Sequence, residues 1–293
     1  MPLTLARKDP GSFKTLALHV EADGHQLHYQ GTGLPLNFAQ MQARRRPVQI
    51  GNSQQFSVEL ANLGVSVRLT LHLDGRDYWV VVRQQRADRG DCVLKLISGY
   101  VPAHELNLPL LTALHEVAEE CLVQSEAGWL CGRFAQTWLP TPYADTLDYH
   151  DEQHFSLQAQ AGSTHPVLRG QMPLLERPFA YVHLPTASLQ LVYNMRLELP
   201  SLARELSLFH ADERLVGGHL VAELQPDEPD LYLIPLHRGH PTSELYTLQQ
   251  GMLDPVDTRQ PLWLSEAFAE RDGWLVHDER IAWQDWIQRL RAA

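Results

Sequence analysis

The chain has 293 residues, of which 44% are hydrophobic and 20% charged, a usage that excludes fibrous and disordered proteins. A net charge of −11 repels phosphate backbones, so general nucleic-acid binding is disfavoured; a small anionic ligand would need local positive charge or a bound cation. No apolar run reaches the roughly 18 residues that span a bilayer, and Met1–Asp9 holds no apolar stretch of the signal-peptide kind. Cys92, Cys121 and Cys131 form no CxxC pair and are odd in number, so neither a disulfide framework nor a zinc ribbon is expected. A reducing cytoplasm is the expected setting.

The first 53 residues read as a small β-rich region, and 54–293 as one larger domain with a C-terminal helical extension. Leu16–Glu21 and Gln26–Tyr29 flank Ala22-Asp23-Gly24-His25, a hairpin signal. A polar stretch with Arg44-Arg45-Arg46 runs to Gly51-Asn52-Ser53 and reads as a linker. The three arginines could grip a phosphate, though a solvated surface run is the favoured reading. Val65–Leu73 alternates with period two, Asp74-Gly75 makes a turn, and Tyr78–Val82 is a β-rich run leading into Arg83-Gln84-Gln85-Arg86. Val93–Ile97 predicts a strand ending in Ser98-Gly99. A helix is expected over Leu108–Val123, with Asn107 as cap and Pro109 in its first turn.

Beyond it, Trp129–Trp138 reads as extended and Thr141–Gly162 as a polar loop. Within that loop His150-Asp151-Glu152-Gln153-His154 spaces two histidines as a zinc helix would, but no apolar helical pattern accompanies them. Leu189–Leu197 and Leu231–Leu236 read as strands, Ser201–Leu208 as a short helix, and Asp278–Arg291 as an amphipathic helix.

At about 100° per residue, the helix places Leu110, Leu111, Leu114, Val117, Ala118, Cys121 and Leu122 on one face. Glu116, Glu119 and Glu120 cluster on the other, at spacings that make them neighbours. Clustered carboxylates repel unless neutralised. Mg²⁺, which favours carboxylate oxygen and bridges to phosphates, would neutralise them. The plain alternative is a solvated polar face.

The flanking residues add to this. Gly99 is followed by five residues and Glu105, and then by His115-Glu116-Val117-Ala118-Glu119-Glu120-Cys121-Leu122-Val123. This resembles the Nudix hydrolase box, G-x5-E-x7-R-E-U-x-E-E-x-G-U, with U aliphatic. The sequence departs from it at His115 for the arginine, at Leu122 for the glycine, and in having nine rather than seven residues between Glu105 and His115. The resemblance implies an α/β (α+β) fold with a Nudix-type mixed β-sheet sandwiched by helices. It implies Glu116, Glu119 and Glu120 as ligands of Mg²⁺ or Mn²⁺, and Glu105 near the metal or fixing the helix. It also implies cleavage of a diphosphate linkage in a nucleoside-diphosphate-linked small molecule, an ADP-ribose-like compound or sugar nucleotide being favoured.

Arg83 and Arg86 are then expected at the substrate phosphates, since guanidinium suits bidentate phosphate contact. Glu152, Glu223 and Glu228 are open choices for a general base. Trp138 to Tyr143 occupies the position of a substrate loop. Homodimers are frequent in the family, which makes a homodimer an expectation by analogy. The departures keep a second expectation open, a catalytically degenerate nucleotide-binding or regulatory module.

Overall fold

The computed structural model describes residues 1–9, 11–86, 91–201, 203–258, 262–265, 273–277 and 280–292, with backbone only at 85, 86, 91 and 215. The fold is mixed α+β and strand-rich, 54% strand against 13% helix, so sheet faces rather than helix contacts define the core. The first ten strands in chain order are β1 (Leu3–Lys8), β2 (Lys14–Asp23), β3 (Leu27–Asn37), β4 (Gln55–Leu60), β5 (Asn62–Leu73), β6 (Arg76–Arg86), β7 (Asp91–Lys95), β8 (Ile97–Tyr100), β9 (Leu122–Ser125) and β10 (Gly128–Phe134). The helices among the described residues are α1 (Phe38–Arg44), α2 (Pro109–Glu120) and α3 (Trp283–Ala292).

β5 is the organising strand. It runs parallel to the strand Ser188–Glu198 and antiparallel to β6 and β8. Being covered on both faces, it is buried almost continuously, as strands with parallel partners usually are. The turn to β6 uses Asp74 and Gly75, both at positive φ, which matches the twist of the flanking strands. Period two then sorts side chains between two cores. Val80 and Val82 join the α2 side with Leu69, Leu71, Val117 and Ala118. Val81 and Leu94 join the α3 side with Ile234, Trp283 and Ile287. The two cores thus lie on opposite faces of β6, one holding residues of α2 and the other residues of α3.

The first 53 residues are strand-rich, and their strands take partners from far along the chain. β1 pairs with His219–Leu224, β2 with β4, and β3 with Val167–Arg169. Tyr29 donates from its hydroxyl to the Leu106 carbonyl (3.2 Å), and Thr15 to that of Val101 (2.9 Å). Gly31 lies so close to the same loop that a Cβ there would sit 2.7 Å from Leu106 Cδ2. The N-terminal strands therefore fix the loop that delivers α2.

Several expectations are corrected. The helix starts at Pro109 after Leu108, not after an Asn107 cap, and it ends at Glu120. Leu111 is exposed, while Thr112 and Ala113 are buried in its place. Cys121 leaves the helix in extended conformation, φ −117° and ψ 90°, because β9 begins at once and pairs with Ser207–Phe209. The same pairing makes 207–209 strand rather than helix. Tyr149–Ala159 is a strand and not a loop, since it pairs with both β10 and Ser188–Glu198; on it His150 and His154 are four residues apart along an extended chain. Phe38–Arg44 is helical where a linker was expected, capped by reciprocal bonds between Asn37 and Gln40. The last helix begins at Trp283, with Arg280–Ala282 in a strand; Asp278 lies outside the described residues. No described helix is long and apolar enough to cross a membrane.

Candidate functional site

α2 buries one face in the sheet, and its other face forms the floor of a cleft of 1200 Å³ lined by Glu116, Glu119 and Glu120. Two structural features hold the floor. Glu116 lies against Gly99, so that a Cβ at residue 99 would stand 1.8 Å from Glu116 Oε1. No side chain at residue 99 would fit between the strand and this carboxylate. At the other end, the helix leaves its last carbonyls without partners of its own. Tyr143 donates its hydroxyl to the Glu119 carbonyl (3.2 Å), and His210 Nδ1 lies 3.1 Å from the Glu120 carbonyl, which requires its proton there. These side chains and the extended exit at Cys121 do what a helix-ending glycine does elsewhere, so Leu122 involves no strained backbone.

The carboxylates are enclosed and close to one another. Burial pushes the Glu116 carboxyl well above its usual range, and the charges of Glu120 and Glu119 push it further. Burial raises Glu120 to about 7 against the opposing charge of Lys95, whose ammonium is 3.6 Å away, and Glu213 adds to the rise. Glu120 Oε2 is buried with no hydrogen-bond partner. Lys8 reaches in from the end of β1 to bond Glu119, and it lies 3.0 Å from Glu213. Burial opposes its charge, but Glu213 and Glu119 hold the ammonium above its ordinary pKa. His210 is buried and held neutral, its pKa lowered to about 4 by desolvation and then by Lys95.

The donor set fits a hard divalent ion in chemistry, being carboxylate oxygens with one buried and unpartnered. Among the described residues, however, no three such side chains converge closely enough to hold one ion as they stand. Two of the glutamates are turned to lysines instead. An ion binding here would have to take Glu119 from Lys8.

Glu105 is buried outside the cleft. It accepts from Thr112 Oγ1 (2.6 Å), and His115 Nδ1 lies 3.6 Å away. Two of its partners are thus on α2, and His104, whose Nε2 lies 3.5 Å away, precedes the helix, so Glu105 ties the loop to the start of α2. Arg83 shares the parity of Val81 and therefore points away from α2; its Nε donates to Cys92 Sγ (2.9 Å) and its Nη1 lies 3.3 Å from Asp230. Neighbouring Gln84, of opposite parity, lines the cleft. The Arg86 side chain lies outside the described residues.

The cations that do line the cleft are Arg7, Lys8, Arg45, Lys95 and Arg280, from four separate segments. Of these, sequence reading reached only Arg45, through the arginine run, and favoured a solvated role for it. Glu152, Glu223 and Glu228 are not among the residues lining the cleft, whereas Glu213 lines it and lies 3.0 Å from Lys8. Its only signal was position in an edge strand, which sequence pattern does not connect to α2. Tyr143, from the expected substrate loop, does line the cleft.

Compared with known proteins, the chain matches no family model, and no curated protein is significantly similar to it.

Proposed function

We propose that the chain is a Mg²⁺- or Mn²⁺-dependent hydrolase that cleaves a diphosphate linkage in a nucleoside-diphosphate-linked small molecule, on a Nudix-type sheet with helices on both faces. The observation that carries this is the floor of the cleft. Three glutamates of one helix face line it, one seated against Gly99 and one with a buried, unpartnered oxygen. Glu116, Glu119 and Glu120 would hold the ion, which when bound supplies charge neutralisation at the phosphates and an activated water. Glu105 and His115 position the helix. Lys95 holds Glu120, and the cationic rim attracts the anionic substrate into an otherwise acidic protein.

The test is release of phosphate-bearing product from a panel of nucleoside diphosphate compounds with Mg²⁺ or Mn²⁺, comparing wild type with Glu120→Gln. Metal-dependent turnover lost in the variant supports the proposal. No turnover from any compound refutes it.

One observation favours a second reading. Lys8 and Lys95 already neutralise part of the carboxylate cluster, as they would in a domain that binds a nucleotide without turning it over. That reading expects nucleotide-induced thermal stabilisation with no hydrolysis, and no gain in metal binding when Lys8 is replaced by methionine.

A further inference from the structure

Beside the acidic floor, the cleft has a wall of different chemistry. Phe13, Phe38 and Tyr100 line it, all half-buried, with ring centroids 6.3 to 6.4 Å apart. Arg45, just past the end of α1, lays its guanidinium over the Tyr100 ring at 5.1 Å and bonds the Tyr100 hydroxyl through Nη1. Its Nε is buried without a hydrogen-bond partner. A buried donor left unmet is costly, and a phosphate oxygen is the acceptor a guanidinium pairs with best. Tyr100 directly follows Gly99, the residue against which Glu116 is seated, so wall and floor are adjacent.

We propose that this wall is a subsite for a planar ring carried on a phosphate, with Phe13, Phe38 and Tyr100 against the ring and Arg45 on the phosphate. Aromatic side chains accept any base through its flat face, and the fixed guanidinium orients the attached phosphate towards the floor. Phe13, Phe38 and Arg45 lie in the N-terminal segment, outside the residues that carry the box resemblance, and Tyr100 lies within them. It rests on the reading of the cleft as a nucleotide site and names the half of the substrate that sets its class.

The experiment compares binding of AMP and ribose 5-phosphate to the full chain with Mg²⁺ present, by calorimetry. Neither probe contains a diphosphate linkage, so the result does not depend on turnover. AMP is expected to bind about tenfold more tightly, the size of one base-stacking contact. Phe38→Leu should bring the two ligands level, Arg45→Gln should weaken both alike, and Arg44→Gln, altering an exposed neighbour, should change neither. Equal affinity of wild type for the two ligands overturns the proposal, as does binding of neither; both hold without any variant. In either case hydrolysis of diphosphate compounds, measured separately, still decides the reading of the floor.

Discussion

α2 and α3 each turn an apolar side to a separate core, on opposite faces of β6, yet their outward faces meet different surroundings. α3 presents its polar side to solvent, with Asp285 in its first turn and Arg289 and Arg291 in its last, as the helix dipole favours. Its inward side is apolar, led by Trp283, which is buried and packs beside Trp286 at 5.0 Å. α2 has the same kind of apolar side, but its polar side is roofed by β1, β8 and the strand Ala211–Val216. Enclosure turns ordinary glutamates into carboxyls with raised pKa, and two lysines are drawn in beside them. A helical pattern therefore becomes a site only when other elements close over its polar face.

Variants of the two helices should separate stability from function. The largest effect is expected for Trp283→Ala, a loss of about 3–5 kcal/mol in denaturant unfolding, as for other large buried aromatics. Glu116→Gln should do the reverse in metal-free protein and raise Tm, because an amide has no charge to desolvate. With Mg²⁺ the order changes: wild type gains Tm through binding and the variant does not. Equal responses to Mg²⁺ would remove Glu116 from the metal site.

Gly99→Ala comes next. Its Cβ would overlap the Glu116 carboxylate, so a cost of ~1–3 kcal/mol is expected from overpacking. Combining it with Glu116→Ala removes the obstruction, and the double mutant should cost less than the sum of the singles. Simple additivity would mean that the contact carries no energy.

The smallest effect is a pH dependence confined to the last turn of α2 in metal-free protein. Glu120, raised from 4.5 to about 7, binds a proton in the folded state that the unfolded state has released, so stability falls as pH rises through this window. His210, lowered from 6.5 to about 4, does the opposite, and stability rises with pH across its own window. The two offset each other where the windows overlap. Glu120→Gln should leave the His210 rise uncovered, which urea unfolding across pH 4 to 7 would reveal; an unchanged profile would contradict the burial of Glu120.

The acidic floor was more legible in the sequence than the rest of the cleft, because it lies within one helix. The i, i+3, i+4 spacing placed Glu116, Glu119 and Glu120 together, and Gly99 stood at a recognisable distance before them. Arg83 was misplaced by one step of strand parity, since sequence does not say which face of β6 meets α2. Lys8, Arg45, His210 and Glu213 could not be found by spacing, as each approaches from a strand or helix end remote in sequence.

By itself, the sequence determined what local periodicity controls: an α+β chain, the strands around Asp74-Gly75, and a helix with an apolar side and a carboxylate side. Tertiary structure decided the rest. It ended α2 at Glu120 by drawing Leu122 into a strand, pinned the preceding loop through Tyr29 and Thr15, and brought lysines to the glutamates. The physical reason is that sheet pairing and charge enclosure depend on which distant segments meet, and no pattern within a single segment encodes that.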